Sequence, residues 1–243
     1  MSKAKVSWQP SSKLEIRYTS NIGGELEALP YLATVIKQQR AQCPDMLLFD
    51  TGSFSGPGCP GPNSGEPHVK VYNHLQYTAV VPGRAEAMDT KALKKMARMA
   101  NFPFLATNWR GIGEGDYFTN RQVIERGEEK IVILGMACLE TPKDTETVPA
   151  TQALDEALKG FDPADTVVII LSQLDGNQNL ALAKHGNFTK VIIGGVTIAG
   201  LDQTMSVGNS LIAPASDGPK SLGSLTVNLG GNLKVNKEKE SAE

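Results

Sequence analysis

The chain has 243 residues, 40% of them hydrophobic and 21% charged, enough to bury the core of one large domain. A formal net charge of −2 supplies no field that would gather nucleic acid or an anionic membrane, and neither is expected as a partner. Cys43, Cys59 and Cys138 are too scattered for a disulfide framework or a paired-cysteine metal knuckle, and no cofactor is expected.

Residues 1–13 read as an N-terminal arm. They lack the apolar segment of a signal peptide, and no apolar run reaches the length of a membrane span, so a cytoplasmic location is expected. Residues 14–19 read as a strand. A helix is predicted over 30–42, where Leu29, Leu32, Val35 and Ile36 fall on one face. Residues 46–50 form a short apolar strand, and the Gly/Pro-rich insert 56–67 can be neither helix nor strand interior. Further on, helices are expected over 69–75, 89–100, 151–159 and 177–185. Strands are expected over 78–81, 104–106, 123–124, 131–136, 167–171, 191–193 and 222–229, the last turning through Gly230-Gly-Asn232 into 233–235. The charged tail 237–243 is expected to fray. One α/β domain over 14–236 accommodates this alternation.

Several segments carry more than periodicity. They are Tyr18-Thr-Ser-Asn-Ile-Gly-Gly-Glu-Leu26, Leu47-Leu-Phe-Asp-Thr-Gly-Ser-Phe54, Tyr77-Thr-Ala-Val-Val-Pro-Gly-Arg-Ala-Glu86, Phe102-Pro-Phe-Leu-Ala-Thr-Asn108, Val167-Val-Ile-Ile-Leu-Ser-Gln173 and Val191-Ile-Ile-Gly-Gly-Val-Thr-Ile198. In order and spacing they resemble the motifs of the calcineurin-like metallophosphoesterases, closest to the catalytic domain of 5′-nucleotidases. The resemblance implies a four-layer α/β/β/α sandwich of two mixed sheets, with a site at the strand ends. In the family that site holds two divalent metals on Asp, His and Asn ligands.

At the matching positions stand Asn21, Gly23, Ser53, Arg84, Ala85, Gln173, Val196 and Ile198. Asn and Gln keep the outline of a ligand without its charge, whereas Gly, Ala, Val and Ile offer no donor side chain. Arg84 would oppose a dication by roughly 5 kcal/mol at ~7 Å and an effective dielectric near 20. The implied reading is a pseudoenzyme whose metal site is gone, working as a binding or assembly subunit for a protein partner of unknown identity.

Other readings stand beside it. Arg84 with Asn21, Ser53 and Gln173 could bind a phosphate or nucleotide without hydrolysing it; the structural alternative is an internal ion pair of Arg84 with Glu86 or Asp50. Residual hydrolysis would need a relocated metal site, for which His68, His74 and Cys59 are candidates. The His68–His74 spacing of six is poor for one helix face, since neighbours on a helix lie three or four apart. Asp50 and Glu86 could form a carboxylate pair or cap strand-end amides. Ser53 and Ser172 have no His at motif level, which leaves a hydrolytic triad little support. Cys59, Pro60 and Pro62 in the insert form a candidate interaction loop, and Trp8, Trp109 and Tyr117 are candidate contact aromatics or ordinary packing.

Overall fold

Strands whose apolar residues run unbroken need cover on both faces, and the architecture supplies it. The computed structural model describes residues 13–56, 65–112, 117–126, 129–195, 204–215, 218–228 and 235–241. The first half of the chain contains β1 (Lys13–Thr19), α1 (Ala28–Gln42), β2 (Leu47–Asp50), α2 (Glu66–Leu75), β3 (Ala79–Val80), α3 (Arg84–Ala87), α4 (Thr90–Met99), β4 (Phe104–Leu105), β5 (Trp109–Arg110) and β6 (Phe118–Thr119). The second half contains β7 (Gln122–Arg126), β8 (Glu129–Met136), β9 (Glu146–Thr147), α5 (Ala150–Leu158), β10 (Thr166–Ser172), α6 (Gly176–Lys184), β11 (Thr189–Gly194), β12 (Met205–Val207), β13 (Ser210–Ala213), β14 (Ser221–Asn228) and β15 (Val235–Ser241).

A seven-stranded sheet has the order β15-β14-β1-β2-β3-β4-β6, and a six-stranded sheet the order β12-β13-β11-β10-β8-β7. Both are mixed. β1, β2, β3, β4 and β6 run parallel, with β14 antiparallel to β1; β8, β10, β11 and β13 run parallel, flanked by antiparallel β7 and β12.

Alternation along the second sheet shows how the layers are filled. Ile131, Ile133, Ile169, Leu171, Val191 and Ile193 join the core shared with the first sheet and α1, α2 and α4. Their neighbours Val132, Leu134, Val168, Ile170 and Ile192 pack instead with Leu154, Leu158 and Leu182 of α5 and α6. Every other side chain of one strand therefore serves a different core, each burial contributing about 1.5–3 kcal/mol.

The long elements fall within a few residues of their expected positions. Two features differ. The tail expected to fray is drawn into β15, which pairs with β14 from Ser221↔Ser241 to Val227↔Val235. The far edge of β14 offers a row of backbone groups whatever side chains pair with it. In addition, α3, β5, β6, β9 and the β12–β13 hairpin are too short to leave a periodic trace.

Candidate functional site

The loops leaving β1, β2, β3, β10 and β11 share one end of the sandwich, because parallel strands put their carboxyl ends together. The first two loops lie side by side: the amides of Asn21, Gly23 and Gly24 donate to Gly52 O, Ser53 O and Phe54 O at 3.0, 3.0 and 2.8 Å. Gly52 sits at φ 100°, where a Cβ would stand 2.8 Å from Gly83 N and Val81 O and 3.0 Å from Gln173 Cδ. A residue without a side chain is what lets three loops close on one another here.

Glu86 ties them together. Its Oε2 accepts from the amides of Ser53 at 2.9 Å and Gly83 at 2.8 Å. Its Oε1 accepts from the Ser55 amide at 2.8 Å and Ser55 Oγ at 2.6 Å. All of its strong acceptor directions are taken by protein donors, and the side chain is buried.

Asp50 lies deeper, at the end of β2. Oδ1 accepts from the Gly52 amide at 2.7 Å; Oδ2 accepts from Thr19 Oγ1 at 2.6 Å and Tyr72 Oη at 2.7 Å. Thr19 also meets Tyr77 Oη at 3.0 Å, and the rings of Tyr72 and Tyr77 stack 3.9 Å apart. Burial raises the Asp50 carboxyl to about 7, against the lowering effect of the hydroxyl and amide donors, and the Glu86 charge adds to the rise. Burial, and then the Asp50 charge, push the hydroxyls of Tyr72 and Tyr77 upward. The Thr19, Tyr72 and Tyr77 partners escaped the sequence reading; the parallel register Thr19↔Asp50 is the trace they leave.

Of the residues at the family's ligand positions, Ser53 and Gln173 come together. Gln173 Nε2 donates to Thr51 O, and Ser53 Oγ stands 3.5 Å from Gln173 Oε1, the outer limit of a hydrogen bond. Asn21 is exposed at φ 53°, Gly23 and Ala85 are half-buried, and the two carry no donor side chain. Arg84 turns outward. Its side chain is 71% exposed and its Nε lies 3.5 Å from Glu140 Oε1, so the expected internal pair with Glu86 or Asp50 gives way to one at the rim. Those two carboxylates are already surrounded by neutral donors. Val196, Ile198, Cys59, Pro60, Pro62 and Trp8 lie outside the described residues.

The other expected candidates disperse. His68 is fully buried, 6.0 Å from the Phe54 ring, with neither ring nitrogen hydrogen-bonded; burial lowers it to about 4. His74 is exposed on the same helix, and His185 pairs with Asp155 at 2.8 Å beyond α6. Ser172 Oγ donates to Asn179 Oδ1 at 2.7 Å. Trp109 is buried, its Nε1 donating to Cys138 O at 2.9 Å, which makes it a packing residue; Tyr117 is 42% exposed. Among the described residues, no three His, Cys, Asp or Glu side chains form a group able to hold a metal ion.

The fold has counterparts among known proteins. No protein-family model matches the chain. It is 28% identical over 180 residues to a snake venom 5′-nucleotidase of Crotalus adamanteus, covering 68% of this chain and 31% of that one. With the snake venom 5′-nucleotidase of Gloydius brevicauda it shares 30% over 164 residues, covering 64% and 27%. The chain thus spans under a third of the length of the curated relatives it matches. Among solved structures, the NAD nucleotidase of Haemophilus influenzae superposes with TM-score 0.76 at 15% identity, over 94% of this chain and 50% of that one. A calcineurin-like phosphoesterase of Bacillus subtilis gives 0.67 at 16%, over 95% and 91%.

Proposed function

On a chain that has the calcineurin-like metallophosphoesterase fold and is related in sequence to 5′-nucleotidases, we propose a protein that no longer hydrolyses phosphate esters and serves as a binding or assembly subunit. One observation carries this reading: the acids left at the strand ends are engaged by the protein itself. Glu86 accepts four hydrogen bonds and Asp50 three, all from neutral donors of neighbouring loops and strands. Of the remaining positions only Asn21, Ser53 and Gln173 offer an amide or hydroxyl, which bind hard dications weakly without a carboxylate beside them. This donor set does not fit a pair of divalent cations.

The test is calorimetric titration with Mn²⁺ alongside turnover of bis(p-nitrophenyl) phosphate and AMP in manganese. Neither uptake nor turnover is expected. Manganese-dependent turnover abolished by Glu86→Gln would overturn the reading. Affinity purification at native abundance should recover a stoichiometric protein partner, and a solitary monomer counts against an assembly role.

Arg84 supports a second reading, a non-hydrolytic sensor of phosphate or a nucleotide. Its guanidinium stands exposed at the mouth, its one ion pair among the described residues being the 3.5 Å contact to Glu140, and could exchange that partner for a phosphoryl oxygen. Thermal-shift titration with AMP and inorganic phosphate tests it; a shift of equal size in Arg84→Gln, or no shift at all, removes it.

A further inference from the structure

The small net charge conceals a segregation by layer. The helices α1, α2 and α4, which cover the seven-stranded sheet, carry Lys37, Arg40, Lys70, Lys91, Lys94, Lys95 and Arg98 against Glu66 alone. On the opposite face, α5 and α6 carry Asp155 and Glu156 against Lys184. Within the basic layer some charges are committed. Arg40 donates to the carbonyls of Leu75 and Gln76, Lys95 pairs with Glu66 at 2.5 Å, and the Arg98 guanidinium lies 5.4 Å over the Tyr117 ring. Lys37, Lys70, Lys91 and Lys94 form no ion pair among the described residues.

The α2 and α4 part of this layer adjoins a cleft. Asn73 Nδ2 donates to Met99 O at 2.8 Å, fixing the two helices side by side. Beyond the end of α4, Ala97, Ala100, Phe102, Pro103, Tyr117 and Phe118 line a cleft of about 330 Å³ against the outermost strand β6. It is walled by aromatic and small apolar side chains with Asn101 and Thr119 among them, and is near the lower end of the range for small-ligand sites, room for one large side chain. Arg98 stands at its rim beside Tyr117.

We propose that this cleft and the basic face beside it form a docking site for an acidic polypeptide segment, which sets one aromatic or aliphatic side chain into the cleft. Charge complementarity recruits and orients the segment, and the buried anchor holds it. A nucleic acid would meet cations, but the exposed Tyr117 ring beside the cleft is already covered by Arg98 and is not free to stack on a base. A bilayer would call for exposed apolar side chains on the basic helices. The large exposed ones, Leu26, Met88, Tyr117, Val123 and Leu139, all lie on loops or on β7. The docking site is separate from the strand-end loops, so it holds whether or not those loops retain chemistry.

Fluorescence anisotropy of the full chain with a labelled Asp/Glu peptide bearing one central tryptophan tests the inference. Saturable binding is expected, weakened by salt and weakened about tenfold by exchanging the tryptophan for serine. The exposed double variant Lys70→Glu/Lys94→Glu should weaken it by about tenfold or more, while Lys184→Glu on the opposite layer leaves it unchanged. The proposal is overturned by absence of binding, by equal affinity for the serine peptide, or by equal loss in Lys184→Glu. Tighter binding of a single-stranded oligonucleotide or of phosphatidylserine vesicles overturns it too, in favour of those partners.

Discussion

Asp50 and His68 are buried around the same rings: Phe54 lies 6.0 Å from His68 and 5.4 Å from Tyr72, whose hydroxyl binds Asp50 at 2.7 Å. Burial moves the two groups in opposite senses. The Asp50 carboxyl is raised to about 7, so its contribution is complete below the ordinary carboxylate value and is lost as pH rises through about 7. That interval corresponds to roughly 4 kcal/mol. His68 is lowered to about 4, so its contribution is complete above the ordinary imidazole value and is lost as pH falls through about 4, by roughly 3 kcal/mol. Across the intervening range the slopes offset, and urea denaturation of the native protein should show little pH dependence there. Asp50→Asn should leave a stability that falls towards acid, and His68→Leu one that falls towards neutral pH. Parallel curves for all three proteins would refute the assignment. Chain order and apolar neighbours make Asp50 legible as a strand-end acid, but its two hydroxyl partners come from two other elements, β1 and α2, and only tertiary packing unites them.

The loops at the strand ends depend on two features that can be separated by substitution. Glu86→Gln replaces one acceptor oxygen with a donor amide facing N–H or O–H groups, and should cost about 2–4 kcal/mol in chemical denaturation. Gly52→Ala meets both an unfavourable φ and contacts of 2.8 Å; Gly160→Ala meets φ 90° with nothing within 4 Å. The Gly160 variant should lose about 1 kcal/mol and the Gly52 variant several more, the difference reporting the loop contact alone. Equal losses would mean that the loops are not closed on Gly52. At this scale the sequence was most informative for elements spanning two or more periods of their own repeat. The two-residue strands β3 and β4 are legible only because apolar runs surround them, whereas β5 and β9 have no such context. The hairpin return into 233–235 is expected from its turn residues, but the extension of β15 to Ser241 depends on the free backbone edge of β14, which no side-chain pattern announces.

For the molecule as a whole, the two-sheet sandwich was legible because ordered motifs and unbroken apolar strands both demand it. The basic layer was not, since a summed charge of −2 discards position. A protein held together without divalent ions should melt at the same temperature before and after dialysis against EDTA; a drop restored by Mn²⁺ would contradict the proposed loss of hydrolysis. The pairing of β1 with β14 has a further consequence. Lys13 aligns with Asn228, and Tyr18 Oη donates to Pro214 O, 196 residues further along. On the ribosome β1 must therefore wait, one flank open, until β14 has emerged, and closing so long a loop slows collapse of the first sheet. Nascent chains stopped short of β14 should remain protease-sensitive and attract chaperones, making β14 the trigger for folding of the first sheet.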